Sequence, residues 1–527
     1  MIGKRNIRTW IEFIETRESG FISRLESMYG ENEELLDERL HALFEVAIRF
    51  REVYGEKEAS FVRAPGRLNT LSMHSDHRGS YINPISLNRE ILVCYSPRND
   101  DVVEVYNVNP SFGKRRFSIA EESPDMRITS ESEWLQWTQI KTDERKKAGT
   151  NDDWINKLVA VPVYLQIRRP EKKLLGFDGV LGGNIPGGAG LSSSSAIIVA
   201  MMEIMTDING ITLDDKSFVR YCGVGEWYVG TRGGFGDQAA IKFGKSGKII
   251  HMTTLPELVI DSYIPFPKGY QIIIFNSQIK ADKTGPAKQK FNEKTATYEI
   301  GEIYIRKYMR EHHGDIYKRI VDSRQHLEIE KKFHLADVVE CLNQEQIYKL
   351  IQRIPERISR EELMRQLPEE QDFLQRQFAT HDEPGYEYPV RLVIIYGLAE
   401  CRRGRMLKEV LNQNRVDIYG QLMNISHDGD RVFLGAPRFD PTKDLHLQPG
   451  EYGCSIPEID EMVDIALETG AIGAQISGAG MGGSMMALTK EENVKAVIQA
   501  MHERYYTPHG FEDNVIVATA IQGACIL

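Results

Sequence analysis

The chain has 527 residues, of which 41% are hydrophobic and 27% are charged, as is usual for a globular protein, and this length predicts two or three domains. Its formal net charge of −11 leaves no basic excess to neutralise phosphates, so we expect no nucleic-acid partner. The sequence contains no apolar run long enough to span a bilayer, so we expect no membrane partner either.

The first residues and the cysteines both favour a cytoplasmic protein. Charged residues begin at Lys4 and Arg5, too early for a signal peptide. The six cysteines are scattered and include no C-x-x-C pair, which predicts reduced thiols and argues against metal ligation.

Residues 1–58 predict a helical N-terminal extension. They are rich in Glu and Arg, and apolar residues recur at helical spacing between Leu40 and Ile48. This pattern indicates two or three amphipathic helices, to which we assign packing and no chemistry.

Residues 61–95 have a different character. Extended residues flank a Pro65-Gly66 turn, a polar cluster follows, and residues 91–95 predict a strand. Within the cluster, His74 and Asp76 offer the donors and acceptors that bind a polyhydroxylated ligand. The alternative is a surface loop of solvated polar residues. Without a distant ligand, His and Asp spaced this closely are a weak indication of a metal site.

Residues 102–165 predict a strand, a helix and connecting loops, and we assign them no catalytic or binding role. Alternating residues predict a strand over 102–108, and residues 154–165 fit a helix. Between them, mixed charge over 110–150 predicts loop and edge structure.

A glycine- and serine-rich stretch, residues 182–196, precedes the apolar run 197–202, and together they predict a loop that leads into a buried helix. Glycines allow a positive φ, successive amides form an anion-binding nest, and a helix N-terminus favours phosphate. Serine hydroxyls there either cap the helix or reach a metal-bound phosphate. We prefer phosphate binding to the alternative of an ordinary glycine turn with serine caps. The stretch lacks the Lys of a P-loop and the spacing of a dinucleotide-binding turn.

A second glycine-rich turn, within residues 231–240, precedes Asp237. Before it, residues 218–229 predict a helix that carries Glu226 and ends at Gly230. An Asp at a helix start is usually a cap. Asp237 therefore gains functional interest only from neighbours that the fold must supply.

The second half of the chain predicts strands, charged helices and one more glycine turn. Residues 272–275 and 514–518 predict buried strands, and residues 287–380 are highly charged and mostly helical, with most charges on a solvated face. Further helices are predicted over 391–411 and 416–425. A glycine turn within 476–488 leads into an apolar run, which fits either an anion cradle or a tight β-connection.

Four of these segments, in this order, resemble the motifs of the GHMP small-molecule kinases, and the nearest resemblance within that family is to galactokinase. The four segments are Arg63–Asn69 with His74–Gly79, Pro186–Ala196, Gly236–Gln238 and Ser477–Ser484. Four ordered motifs are more specific than any one of them, so the chain is identified as a member of this family.

The resemblance implies a fold of two α+β domains, residues 59–265 and 266–527, with the active site in the cleft between them. It also implies an enzyme that uses ATP and Mg²⁺ to phosphorylate the anomeric hydroxyl of a small-molecule sugar. A different class of protein stays open, because some galactokinase relatives bind sugar and ATP as sensors and act through a protein partner. The oligomeric state also stays open.

The same resemblance implies roles for individual residues. Asp237 would be the base or orienting carboxylate for the sugar hydroxyl, and Arg67 would offset charge on the transferring phosphoryl group. Ser194 and Glu226 would bind magnesium. The sugar contacts would come from four positions: Met73, His74, Asp76 and the backbone at Gly236. The triphosphate would lie on Gly187, Gly188, Ala189, Gly190, Leu191, Ser192, Ser193 and Ser194.

The sugar loop departs from galactokinase at Met73, where the family has a glutamate that binds the C6 hydroxyl. Loss of that carboxylate removes repulsion toward a C6 carboxylate, and the loop looks closer to the galacturonate-kinase branch. Arg78 or Arg232 would then pair with the uronate, unless these arginines face solvent. We therefore expect a 1-kinase for galactose or a C6-modified relative such as galacturonate.

Overall fold

The structure is a computed structural model of the chain, and it describes residues 3–230, 234–280, 286–325, 327, 333–381 and 387–527. Arg232, one of the two arginines considered for a uronate, lies outside the described residues. Helices and strands mix along the chain, so the expected α+β class is confirmed. Within the ranges just given, no helix combines the length and the apolar character needed to cross a bilayer.

The strands of the described residues form two main sheets and a separate hairpin. Their bounds are β1 (Arg5–Asn6), β2 (Glu58–Asn69), β3 (Pro84–Pro97), β4 (Val102–Asn107), β5 (Arg115–Ser118), β6 (Phe177–Gly183), β7 (Lys248–Thr253), β8 (Val259–Pro265), β9 (Tyr270–Asn276), β10 (Ala471–Ser477), β11 (Ser484–Lys490), β12 (Val515–Ala518) and β13 (Cys525–Ile526).

The α-helices cover the sheet faces and fill the middle of the chain. Their bounds are α1 (Ile7–Glu15), α2 (Ser19–Tyr29), α3 (Glu33–Tyr54), α4 (Ile119–Glu122), α5 (Glu131–Ala148), α6 (Ile155–Arg168), α7 (Ser193–Ile208), α8 (Asp215–Glu226), α9 (Gly236–Phe243), α10 (Pro286–His312), α11 (Gly314–Ser323), α12 (Leu335–Cys341), α13 (Gln344–Arg353), α14 (Arg360–Gln366), α15 (Gln371–Phe378), α16 (Val390–Asn412), α17 (Val416–Asp430), α18 (Pro457–Glu468), α19 (Val494–Met501) and α20 (Thr507–His509).

The first sheet lies between two layers of helices. Its strand order is β1-β2-β3-β6-β4-β5, and β13 adds to β2 from the far end of the chain. Side chains alternate between its faces, so Phe61 and Leu92 pack with α1–α3 while Val62 and Val93 pack with α7. The helices of residues 1–58 thus form one full layer of this sheet.

The second sheet is antiparallel throughout, in the order β10-β11-β9-β12. Its strand β9 is buried on both faces, which explains its unbroken apolar run. Ile272 and Ile274 share a cluster with Leu68 of the first sheet, whereas Ile273 packs with Ile459 of α18. The two sheets are therefore joined by a common core.

Two expectations for the first half of the chain are wrong. Pro65 and Gly66 form no turn, because β2 continues through them and accommodates them with a register shift before Arg67. Residues 110–150 are not mainly loop, because α5 occupies 131–148. The signal for α5 is a capping box, in which Ser130 and Glu133 satisfy each other's backbone N–H groups.

Helix α16 packs against the loop between β2 and β3 at Gly404. A Cβ added at Gly404 would lie 2.2 Å from the carbonyl oxygen of Tyr81 and 2.7 Å from the hydroxyl of Ser72. The Gly404 carbonyl also accepts a hydrogen bond from the Asn83 side chain at 3.1 Å. Only a residue without a side chain fits this contact between the two halves of the chain.

We expect Gly404→Ala to lower the free energy of unfolding by about 1–3 kcal/mol, because overpacking at a backbone contact forces both elements apart. The midpoint of urea-induced unfolding measures this change. Gly314→Ala is the matched control, since a Cβ on this glycine of α11 meets no atom within 4 Å, and its midpoint should stay at or above the wild-type value. Equal midpoints for the two variants would contradict the prediction.

Candidate active site

Arg67 and Asp237 form a bidentate ion pair. Strand β2 supplies the arginine, and the first turn of α9 supplies the aspartate, 170 positions later. Arg67 Nε donates to Asp237 Oδ1 at 2.6 Å, and Nη2 donates to Oδ2 at 2.9 Å. Exposure is 14% for the arginine side chain and 32% for the aspartate. Two parallel hydrogen bonds fix the plane of the carboxylate as well as offsetting its charge.

The serine-rich loop lies directly against this ion pair. Ser192 Oγ donates to Asp237 Oδ2 at 2.5 Å, and Arg67 Nη1 donates to the Gly190 carbonyl at 2.7 Å. Strand β2 makes room for the loop at Gly66, where a Cβ would lie 2.7 Å from the Leu191 carbonyl oxygen. The fold thus brings three of the motifs predicted from the sequence into hydrogen-bond contact.

The loop backbone has the conformation of an anion cradle. Its φ angles are positive at Gly188 (77°), Gly190 (75°) and Ser192 (61°), and α7 begins at the next residue. Positive φ is uncommon for a serine, and such residues cluster at ligand sites. A Cβ placed on Gly187 or Gly188 meets no atom within 4 Å. The loop therefore has open space beside its backbone amides, at the N-terminus of a buried helix.

The glycine turn between β10 and β11 closes the other side of the loop. This turn is the tight β-connection that the sequence left as one of two alternatives. A Cβ on Gly190 would lie 3.2 Å from the Ser477 carbonyl oxygen, and one on Gly483 would lie 3.4 Å from the Gly188 carbonyl oxygen. Both halves of the chain therefore contribute a wall to the loop.

Glu226, at the end of α8, lies under the start of α7. Its carboxylate accepts hydrogen bonds from Ser195 Oγ at 3.0 Å and from Gln238 Nε2 at 2.5 Å. Burial, followed by the charge of Asp237, raises the pKa of Glu226 above its ordinary value, against the hydrogen bonds from Ser195, Gln238 and Ser194. The serine hydroxyls at the start of α7 and the Glu226 carboxylate offer the oxygen ligands that a hard divalent cation prefers. Sequence reasoning missed Ser195 and Gln238, although both flank residues that it named.

Asp76 lies beside Gly234 and Gly236, which come just before Asp237. A Cβ on Gly234 would be 2.3 Å from its Oδ2, and one on Gly236 would be 3.5 Å away. Burial works to raise the pKa of Asp76, but the hydrogen bond and charge of His77 and the charge of Arg67 outweigh it, so this pKa lies below its ordinary value. The carboxylate is thus held in its charged form next to the ion pair.

Met73 and His74 contact the second half of the chain. Met73 is buried, and its backbone N–H donates to the Glu400 carboxylate at 2.8 Å. The His74 side chain is 5% exposed, with Nε2 at 3.6 Å from Asp430 Oδ2. One ligand-type atom from each of His74, Asp430 and Cys454 lies within 4.8 Å of the others. The sequence did not predict Glu400, Asp430 and Cys454 as partners of Met73 and His74, because no local motif links these distant residues to the 73–76 loop.

Arg78 is buried and already paired. Its Nη1 donates to Glu299 at 2.8 Å and to Glu302 at 2.9 Å, and its guanidinium lies over the ring of Tyr298. These partners come from α10, in the segment whose charges we expected to be mostly solvated. Arg78 therefore neither faces solvent nor presents an uncompensated charge to a ligand.

Three protein-family profiles match the chain. The GHMP kinases N terminal domain matches residues 157–245, which include the serine-rich loop, Glu226 and Asp237. The GHMP kinases C terminal profile matches residues 406–507, which include the β10–β11 turn. The galactokinase galactose-binding signature matches residues 48–97, which include Arg67 and Asp76.

Whole-chain comparisons agree with these matches. A galactokinase of Schizosaccharomyces pombe is 24% identical over 520 residues, covering 91% of this chain and 93% of that protein. A galactokinase of Candida parapsilosis is 25% identical over 508 residues, covering 91% and 92%. The crystal structure of Lactococcus lactis galactokinase complexed with galactose aligns with a TM-score of 0.58 at 22% identity, covering 91% of this chain and 98% of that one. This last likeness shows a shared fold.

We expect Glu226→Gln to unfold at a higher urea concentration than wild type in metal-free buffer at pH 8. The pKa of Glu226 is raised by burial and by Asp237. The wild-type protein therefore loses stability as the pH rises from the ordinary pKa of glutamate through this raised pKa. The glutamine amide does not ionise, so the variant keeps that stability. Gln still accepts the hydrogen bond from Ser195. Urea midpoints measured at pH 5 and pH 8 should converge at the lower pH, and a less stable variant at pH 8 would contradict the prediction.

Proposed function

The chain carries both GHMP kinase domains and the galactokinase galactose-binding signature, and from that premise we propose that it is an ATP-dependent sugar 1-kinase. Its substrate is galactose or a C6-modified relative such as galacturonate. The observation that carries the proposal is the Arg67–Asp237 ion pair held against the glycine- and serine-rich loop by Ser192 and Gly190.

In the proposed reaction, the C1 hydroxyl oxygen of the sugar attacks the γ-phosphorus of ATP. The hydroxyl proton passes to a carboxylate oxygen of Asp237, and the bond from the γ-phosphorus to the β–γ bridging oxygen breaks, which releases ADP. Phosphoryl transfer needs positioning and charge stabilisation more than covalent chemistry. Arg67 supports both needs, because its two hydrogen bonds orient the carboxylate and its charge offsets the negative charge of the reacting groups.

The nucleotide phosphates lie, in this proposal, on the backbone amides of residues 187–193, beside the open space at Gly187 and Gly188. Ser194 and Glu226 would hold Mg²⁺. Both offer oxygen donors, and the pKa of Glu226 is raised by burial and then by the charge of Asp237, two effects that a nearby cation would oppose. When bound there, magnesium supplies positive charge to the β- and γ-phosphates.

The sugar lies next to the reacting pair. In this proposal Asp76 accepts hydrogen bonds from the sugar hydroxyls, and the backbone at Gly236, which lies beside Asp76, makes a further contact with them. His74 and the apolar Met73 mark its C6 end. Arg78 gives no support to a uronate contact, because Glu299 and Glu302 already offset its charge. We propose Lys294 instead: it is buried, and its ammonium lies beside Gly453. The next residue, Cys454, has its sulfur within 4.8 Å of a ring nitrogen of His74.

A coupled assay for ADP release tests the substrate across galactose, galacturonate, glucuronate, L-arabinose, fucose and N-acetylgalactosamine. We expect the highest kcat/KM with galactose or galacturonate. If galacturonate is the substrate, Lys294→Met should lower its kcat/KM by about tenfold and that of galactose by less than about threefold, as for loss of one charge-assisted contact. Sugar and ATP binding without ADP release from any sugar would favour the sensor class and contradict the kinase.

We expect Asp237→Asn to lower kcat by about 10²–10⁴, the usual contribution of a positioned base, while the Kd of ATP stays within about threefold of wild type. An amide cannot take the hydroxyl proton, but the cradle for the phosphates is left in place. Asp261→Asn is the control, because that aspartate pairs with Lys408 at 2.7 Å on the surface. An active Asp237→Asn variant would remove the role assigned to this residue.

A further inference from the structure

We propose that the N-terminal helices position the phosphate loop, the glycine- and serine-rich residues 184–192 between β6 and α7. Glu38 and Arg39 of α3 hold Asn184, the first residue of this loop, and thereby set the affinity for the nucleotide. The inference rests on the proposed function for its ligand. It gives residues 1–58 a role in the site beyond packing against the sheet.

Asn184 is held by its side chain and by its backbone. Its side-chain Nδ2 donates to Glu38 Oε1 at 2.8 Å, and its Oδ1 accepts from Arg39 Nη1 at 3.4 Å and from the Glu90 backbone N–H at 2.9 Å. Its own N–H donates to the Glu90 carbonyl at 3.1 Å. Asn184 is three residues before Gly187, so these contacts fix the point from which the phosphate loop starts.

Arg39 is rigidly placed because it belongs to the buried face of α3. It lies on the stripe of Leu35, Leu36 and Leu43 and is 1% exposed. A guanidinium at such a position needs charged partners. It donates to Glu38 Oε1 at 2.5 Å and reaches Glu90 Oε1 at 3.5 Å. The hydrogen bond from α3 to the Asn184 side-chain oxygen therefore comes from an arginine, Arg39, whose side chain has little freedom to move.

Glu90 links this contact to the strand that carries Arg67. The carboxylate is fully buried and accepts from Tyr29 Oη at 2.5 Å and from Arg63 Nε at 2.7 Å. Arg63 and Arg67 lie on the same strand, β2. One network of buried polar groups thus joins α2, α3, β2 and β3 at the start of the phosphate loop, where an unsatisfied member would be costly.

The last two residues of β6, Gly182 and Gly183, are tightly packed against α3 and β3. A Cβ on Gly183, at φ 152°, would lie 2.4 Å from the Glu90 carbonyl oxygen, and one on Gly182 would lie 2.7 Å from Val46 of α3. Helix α3 therefore presses on the last residues of β6 and also bonds the first residue of the loop. A displacement of α3 is transmitted to the amides that bind phosphate.

The test compares Glu38→Ala and Asn184→Ala with wild type in the full-length protein. Glu38 is 46% exposed, and Arg39 keeps the buried carboxylate of Glu90 as a charged partner when Glu38 is replaced. We expect both variants to raise the Kd of MgADP, measured by isothermal titration calorimetry, by about threefold to tenfold, as for the loss of one net hydrogen bond. The KM for ATP should rise by the same factor as the Kd of MgADP, while kcat changes by less than about twofold. Glu38→Gln keeps the acceptor for Asn184 and should bind MgADP within about twofold of wild type.

Asn32→Ala separates positioning from stability. Asn32 caps α3 by accepting from the Leu35 N–H at 3.0 Å and makes no contact with Asn184 among those described. We expect it to lower the thermal unfolding temperature, as loss of a helix cap does, and to leave the Kd of MgADP unchanged. Wild-type affinity in both Glu38→Ala and Asn184→Ala, or equal weakening in Asn32→Ala, would overturn this inference alone. Absence of MgADP binding by the wild-type protein would overturn the proposed function and this inference with it.

Discussion

The bidentate ion pair between Arg67 and Asp237 is the interaction on which the rest of the candidate site depends. It joins strand β2 to the start of helix α9, and its remaining donor and acceptor reach the serine-rich loop at Gly190 and Ser192. A half-buried charge without its partner is costly, so strand, helix and loop must keep the one arrangement that satisfies both charges. The common packing of α7 and α9 with β2 supplies that arrangement.

Close backbone approach is the second constraint, and glycine makes it possible. Gly66 lets the loop lie on β2, and Gly190 lets the β10–β11 turn lie on the loop. At each point a side chain would enter the space of a carbonyl oxygen. The loop is therefore shared between the two halves of the chain, and the proposed cleft is set by their joint packing. The buried network around Glu90 extends the same support to the N-terminal helices.

Sequence patterns located most helices of the described residues and the strands β3, β4, β9 and β12, because their apolar residues recur with the period of a helix, alternate, or form a short unbroken run as in a buried strand. The pattern failed where a different signal dominated. Helix α5 has few apolar positions and begins at a capping box around Ser130. The pair Pro65-Gly66 is typical of a turn, yet β2 absorbs it as an irregularity because the loop needs space there. Composition alone could not tell these cases apart.

What the sequence by itself determined is local: the glycine- and serine-rich loop with its helix, the presence of Arg67, Asp76 and Asp237 in ordered motifs, and a helix that carries Glu226. Backbone conformation and residue chemistry act over a few positions, so a pattern can reveal them. Tertiary structure alone decided which distant partners complete the site. Arg78 is neutralised by α10, Met73 is held by Glu400, and Asn184 is held by α3. Such pairs are set by packing between elements far apart in the chain, and packing leaves no local pattern to read.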